Sequence, residues 1–257
     1  MNRRGFIKAA GLSAFALIGG AAPFDEALAG IAPGRYGRNE KALRAKRWGM
    51  VVKTREFRRP EDYAFLADVC RKEHNVPRID GPQNVKWLWH DTFARVFPDA
   101  VNDYPDERTR SSVFPLLCNH CDNPPCVRVC PTGATYKTED GIVAIDYHRC
   151  IGCRFCMAGC PYGARSFNFK DPRLFLPDPP PNPAFPTRMI GVVEKCNFCA
   201  ERLAVGRMPA CVEASDGRIL FGDLEDPESG PRRALAANYS IRRKPSLGTR
   251  PGVYYII

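Results

Sequence analysis

Cys150, Cys153, Cys156 and Cys160, with Pro161 directly after them, stand in the C-x2-C-x2-C-x3-C-P spacing that wraps a cubane iron–sulfur cluster. Thiolates separated by two residues let one tight loop present three sulfurs to three corners of a cube, and leave its amides free to donate to the cluster sulfides. Cys118, Cys121, Cys126, Cys130 and Pro131 repeat the run with a longer middle gap that holds Pro124 and Pro125. Zinc would be satisfied by two Cys pairs and would not use two complete runs each closed by proline. Disulfides are the default for cysteine-rich exported chains, but the spacing speaks for iron–sulfur chemistry over both.

In two-cluster ferredoxins the fourth Cys of each run ligates the other cluster. Applied here, one cluster takes Cys118, Cys121, Cys126 and Cys160, and another takes Cys130, Cys150, Cys153 and Cys156. Between the runs, Ala134 to Lys137 and Ile142 to Ile145 flank an Asp140-Gly141 turn and read as a β-hairpin. Residues 118 to 165 therefore read as one compact ferredoxin module.

The other cysteines, Cys70, Cys196, Cys199 and Cys211, carry more information. Cys196 follows the strand-like Gly191-Val192-Val193-Glu194, and the residue at the fourth-ligand spacing is Ser215. Upstream, Trp48 to Val52 reads as a strand. At the run's own spacing back from Cys70 stand Pro60, Tyr63 and Leu66, none of them a ligand. Pro60-Glu61-Asp62 starts a predicted helix with Tyr63, Leu66 and Cys70 on one face. With crossed ligation, a second module built from these segments has lost every ligand of one cluster and kept all four of the other, Cys70, Cys196, Cys199 and Cys211. The twelve cysteines then divide into three sets of four, a count of three 4Fe-4S clusters. A 3Fe-4S cluster on Cys196, Cys199 and Cys211 is the alternative.

The chain begins with Arg3-Arg4 ahead of the apolar stretch Ala9 to Phe24, too short to span a bilayer, and then Ala27-Leu28-Ala29. Residues 1–29 read as a twin-arginine signal peptide, a route used by proteins that load cofactors before export to the periplasm. Of 257 residues, 44% are hydrophobic and 26% charged, which excludes disordered, collagen-like and coiled-coil classes. The formal net charge of +10 counts every Cys as neutral. Three oxidised cubanes, each about −2 with their thiolates, offset roughly six of it, and loss of the signal removes one more. A nucleic-acid partner thereby loses its main support. Residues 35–47 are locally basic, as a solvated linker or a lipid-facing segment would be. Trp87 and Trp89 alternate as on a strand face and suit packing. His120 and His148 flank ligands and are candidate donors to cluster sulfides, while His74 and His90 take structural roles. Leu176 to Pro186 holds six prolines and reads as an extended surface loop.

With these motifs in place, the chain resembles the four-cluster ferredoxin-like subunits of membrane-associated respiratory oxidoreductases. The likeness covers most of residues 46–257 and rests on Trp48-Gly49-Met50-Val51-Val52, His74-Asn75-Val76-Pro77, Lys86-Trp87-Leu88-Trp89, Cys118-Asn119-His120-Cys121, Tyr147 to Ser166, Val193 to Cys199, and Phe221-Gly222-Asp223-Leu224. Within that group it is most similar to the DsrO type, the exported iron–sulfur subunit of DsrMKJOP sulfur-metabolism complexes. The resemblance implies an α+β, loop-rich fold of two bacterial-ferredoxin-like modules: residues 46–115 with 187–235, and residues 116–170. A Pro-rich loop (171–186) and a C-terminal extension (236–257) complete it. It implies an electron-transfer subunit with no catalysis of its own, bound peripherally to the membrane through its partners. The clusters would conduct in order from Cys70/196/199/211 through Cys118/121/126/160 to Cys130/150/153/156. Their partners would be a multihaem cytochrome c and a quinone-reactive membrane subunit of the NrfD type. In the family, the cluster that is missing here lies nearest a molybdopterin catalytic subunit, which disfavours such a partner. An electron-transfer role beside a molybdopterin polysulfide or tetrathionate reductase is the alternative.

Overall fold

The computed structural model describes residues 37–57, 59–101 and 103–257; the predicted signal peptide lies outside them. In chain order the elements are β1 (Trp48–Lys53), α1 (Pro60–His74), β2 (Leu88–Thr92), α2 (Phe93–Val96), α3 (Glu107–Ser111), β3 (Val113–Leu117), α4 (Pro125–Arg128), β4 (Thr135–Lys137), β5 (Val143–Ile145), α5 (Phe155–Ala158), β6 (Ser166–Phe167), β7 (Val193–Glu194), α6 (Ala200–Leu203), α7 (Ala210–Glu213), β8 (Ile219–Asp223), α8 (Gly230–Ala237), β9 (Ser240–Ile241) and β10 (Val253–Ile256). Short helices and small sheets joined by long irregular stretches make an α+β, loop-rich fold.

The longest helix forms where its sequence signals stand. Pro60 opens α1 with its fixed φ, Asp62 accepts from the Arg59 N–H at 3.3 Å, and Asn75 ends it in the left-handed region (φ 49°). Tyr63, Leu66, Cys70 and His74 are its buried face. The predicted hairpin is present: β4 and β5 pair antiparallel, with Gly141 at φ 86° in the turn between them. A separate pair, β6 with β7, sets Ser166 opposite Glu194 and so joins residues far apart in sequence.

The largest sheet runs β8-β1-β10-β9. β1 pairs antiparallel with β8 on one side and parallel with β10 on the other. The tail is therefore more than an appendage: β10 lies inside the sheet, and Tyr255 is fully buried with its hydroxyl donating to the Pro115 carbonyl at 3.0 Å. Edge-on contacts with Phe97 and Phe114 complete its packing.

Two segments expected to be loose are held. Residues 39–47 run along the body, where the Asn39 and Leu43 N–H groups donate to the Ala204 and Leu203 carbonyls and Asp223 accepts from the Lys46 and Arg47 amides. The linker reading fails because these backbone groups find partners. The Pro-rich loop is largely exposed, yet Asn182 and Phe185 pin it to the end of α1: the Asn75 side chain donates to both their carbonyls at 2.7 Å. Trp87 is buried, stacked on His74, and donates to Glu194 at 2.7 Å, whereas Trp89 is only half-buried.

Because Tyr255 fills the seam between the sheet and the Phe97/Phe114 cluster, Tyr255→Ala is expected to cost about 3–5 kcal/mol. Its half-exposed neighbour Tyr254, tested as Tyr254→Ala, is expected to cost far less. Thermal unfolding midpoints followed by circular dichroism compare the two.

Candidate metal centres

The twelve cysteines all lie in described residues and none is disulfide-bonded. The structure gathers them in three groups of four, each lining its own small cavity. Cys70, Cys196, Cys199 and Cys211 line the first; Cys118, Cys121, Cys126 and Cys160 the second; Cys130, Cys150, Cys153 and Cys156 the third.

Local backbone explains how short runs feed two cavities. Cys126, Cys156 and Cys211 each sit in a one-turn helix, α4, α5 and α7. Each helix ends before the next position of the run, so Cys130 and Cys160 are freed to turn away from the third Cys. Arg154, Phe198 and Cys199 adopt the left-handed region (φ 63°, 54° and 50°), as does Gly152, which curls amides toward the concave side of each loop. Gly152 is required for a second reason: a Cβ there would meet the Gly191 carbonyl oxygen at 2.4 Å.

The donor chemistry suits a metal cluster. The Thr135 and Phe198 N–H groups donate to the Cys130 and Cys196 sulfurs at 3.4 Å. Burial first, and crowding by other thiols second, pushes Cys70 and Cys199 far up and Cys121 up to about 12. Burial also lifts Cys211 to about 11. At Cys130 burial raises the thiol, but donors from Thr135 and Thr132 outweigh it and leave it lowered. Four thiolates cannot share a small buried space unless a cationic core neutralises them, so the residues present fit a 4Fe-4S group.

Tyr63 and Ser215, two of the positions at which a fourth ligand set would need cysteines, are packed into the protein interior. Tyr63 stacks on Phe57 with centroids 4.7 Å apart and donates to the Val113 carbonyl at 2.5 Å. Ser215, fully buried, donates to the Val212 carbonyl and accepts from the Ile219 N–H. Arg218 joins the two, its guanidinium 4.8 Å over Phe57 and its Nε donating to the Ser215 carbonyl.

Around the first cavity His74 places both ring nitrogens against acceptors, the Cys70 carbonyl at 3.1 Å and Glu201 at 2.8 Å. Cys199 Sγ lies within 4.8 Å of that pair. Burial raises the Glu201 carboxyl, but His74 and Asn197 overcome it and hold the group below the ordinary carboxylate range. His120 stacks on Phe198 at 3.6 Å. Its Nδ1 accepts from the Val143 N–H, which leaves the proton on Nε2. Burial, then Lys195 and Arg165, keep that ring well below the usual imidazole range and hence neutral. His148 is exposed. Lys195, Arg165, Glu194 and Glu201 had no role in the sequence reading; the available signal was a charged residue close in the chain to a run.

A fold of small sheets carrying two four-Cys runs defines a 4Fe-4S ferredoxin-type protein, and the sequence model of the 4Fe-4S dicluster domain matches residues 109–173. The chain is 45% identical over 197 residues to iron–sulfur subunit 1 of the Hdr-like menaquinol oxidoreductase of Archaeoglobus fulgidus, covering 72% of this chain and 70% of that one. It is 43% identical to the B subunit of the polysulfide reductase of Wolinella succinogenes (73% and 83% covered). It is also 35% identical to the iron–sulfur cluster-binding subunit of the menaquinone reductase of Nitratidesulfovibrio vulgaris (82% and 88% covered). The chain belongs to this family of iron–sulfur electron-transfer subunits of oxidoreductase complexes and is not itself a catalytic subunit.

Asp122, beside Cys121, receives the Lys137 ammonium at 2.6 Å, with Arg47 and Arg250 nearby. The Lys137 bond holds its carboxyl below the usual range. A depressed carboxylate contributes stability above its unfolded pKa and loses it as pH falls through the folded value. Asp122→Asn should therefore lower the unfolding midpoint at pH 7, with the gap from the unaltered protein largely kept down to about pH 4 and closing below it; midpoints measured from pH 7 to about pH 2 check the sign.

Proposed function

We propose that this chain relays electrons one at a time through three 4Fe-4S clusters, each held by the four thiols that line one cavity. The division of twelve thiols among three cavities carries the reading. The order in space is supported by charge contacts: Cys196 of the first set feels Cys118 of the second, and Arg165 faces Cys126 of the second and Cys156 of the third.

The two ends differ in a way that supports different partners. All four thiols of the first set are buried, whereas Cys153 of the third is exposed. Around the third set Ile151, Phe155, Phe169 and Ile190 are 44–67% exposed, an apolar rim for a protein partner. We assign that end to a quinone-reactive membrane subunit of the NrfD type, in keeping with relatives named for menaquinol or menaquinone oxidoreduction. Among the described residues no helix is long and apolar enough to cross a membrane, so this chain would meet the bilayer through that partner.

The buried end would exchange electrons with a multihaem cytochrome c in the periplasm, after export by the twin-arginine signal of residues 1–29. Together these features favour the DsrO type of subunit, working in sulfite or sulfide metabolism. The absence of cysteines at Pro60, Tyr63, Leu66 and Ser215, where a fourth cluster would need them, speaks against direct contact with a molybdopterin subunit. The polysulfide reductase likeness supports the second reading, an electron-transfer subunit of a molybdopterin polysulfide or tetrathionate reductase. A purified complex in which a molybdopterin subunit touches this chain would decide for it.

Anaerobically purified protein is expected to hold about twelve iron and twelve sulfide per chain, with Cys70→Ser losing or converting one cluster only. Iron assay and EPR of both redox states test this. About eight iron in the unaltered protein, with Cys70→Ser unchanged, would end the three-cluster reading. Replacing Arg3 and Arg4 by Lys should strand the precursor in the cytoplasm, as read by fractionation.

A further inference from the structure

Two cations are sealed into the walls between the thiol-lined cavities. Lys195 is 2% exposed and Arg165 5% exposed. Lys195 Nζ donates to the carbonyls of Val143 and Cys196, the latter at 2.7 Å. Cys196 lines the first cavity and Val143 the second, so the ammonium stands in the wall between them. Arg165 lines the second cavity, and its Nη1 donates at 3.2 Å to the Thr135 hydroxyl, which lines the third. Its guanidinium faces the thiols of Cys126 and Cys156, one from each cavity, and Nη2 is buried with no oxygen or nitrogen partner.

Neither residue has a carboxylate partner among the described residues, in contrast to buried Arg188, whose charge is met by Glu194 at 2.9 Å. An uncompensated charge in a protein interior is strongly disfavoured. The missing counter-charge is supplied once the cavities fill, because an oxidised cubane with four thiolates carries about −2. Reduction adds another negative charge, and a fixed cation a few ångströms away favours that reduced form.

We propose that Lys195 and Arg165 are charge-setting residues of the electron path: Lys195 raises the reduction potentials of the first and second clusters, Arg165 those of the second and third, and the middle cluster receives both. An electron arriving from either end would thus meet a central site made more oxidising than its own thiolate shell would leave it, so the middle cluster is the one these residues keep occupied. The inference rests on the three-cluster reading.

The test is an EPR-monitored redox titration of full-length protein, with clusters assigned by one Cys→Ser variant per set. Unaltered protein with fewer than about twelve iron per chain would fail the three-cluster reading before any potential is compared. Given full loading, Lys195→Gln, which keeps a donor and removes the charge, should lower the first and middle potentials by at least a tenfold change in the one-electron equilibrium, 59 mV, and leave the third in place. Arg165→Gln should lower the middle and third and spare the first. The double variant should shift the middle cluster most. Lys195→Arg and Arg165→Lys, which keep the charge, should restore the potentials. If a Gln variant fails to retain iron only at the two sites its residue borders, while the charge-keeping variant retains it, the counter-charge role is supported. Full loading with all three potentials unmoved, or equal shifts at all three clusters, would overturn the proposal.

Discussion

Everything in this molecule answers to one constraint: four thiols, drawn from separate stretches of chain, must face one another across each of three small cavities. A continuous helix or strand cannot supply this, because its side chains leave at fixed angles. The chain instead uses one-turn helices and left-handed residues, Arg154, Phe198 and Cys199 among them, so that a run of few residues turns sulfurs inward and then breaks away. The small sheets hold these loops in place. β4 with β5 braces the second and third sets, while β8-β1-β10 lies behind the first, where Met50 of β1 forms part of the cavity wall.

The interior that results is unusually charged for its size, and the charges fall into two kinds. Arg188 and Glu194 satisfy each other, with Trp87 and Asn168 donating to the same carboxylate and Arg188 reaching the Asn75 carbonyl. That network ties β7, the end of α1 and the close of the Pro-rich loop into one unit. His74 and Glu201 do the same beside the first cavity. Lys195 and Arg165 are of the other kind, buried cations with no carboxylate partner among the described residues, standing between thiol-lined cavities.

The region around Tyr63 and Ser215 is packed by protein side chains alone. Its space is taken by the stacked Phe57 and Tyr63 rings, by Arg218 over Phe57, and by the Ser215 hydroxyl caught between backbone groups. Three of these side chains carry polar atoms and each finds a partner, so the region is held by ordinary packing and hydrogen bonds. Cys70 lines the first cavity: it leaves the buried face of α1 four residues from His74, which in turn meets Glu201.

What the sequence determined by itself was the chemistry carried by local spacing. The two four-Cys runs, the Asp140-Gly141 hairpin and the Pro60 helix start were legible because turn geometry, helix period and ligand spacing act over a few residues. Tertiary structure alone decided the rest. It set β10 parallel to β1 across about 200 residues of chain, brought Lys195 and Arg165 into the walls between cavities, and fastened residues 39–47 and the Pro-rich loop to the body. A basic residue beside a ligand reads the same on paper whether it points to water or inward. Only the packing of distant segments fixes its burial, and burial is what turns an ordinary charge into one that a neighbouring cluster must feel.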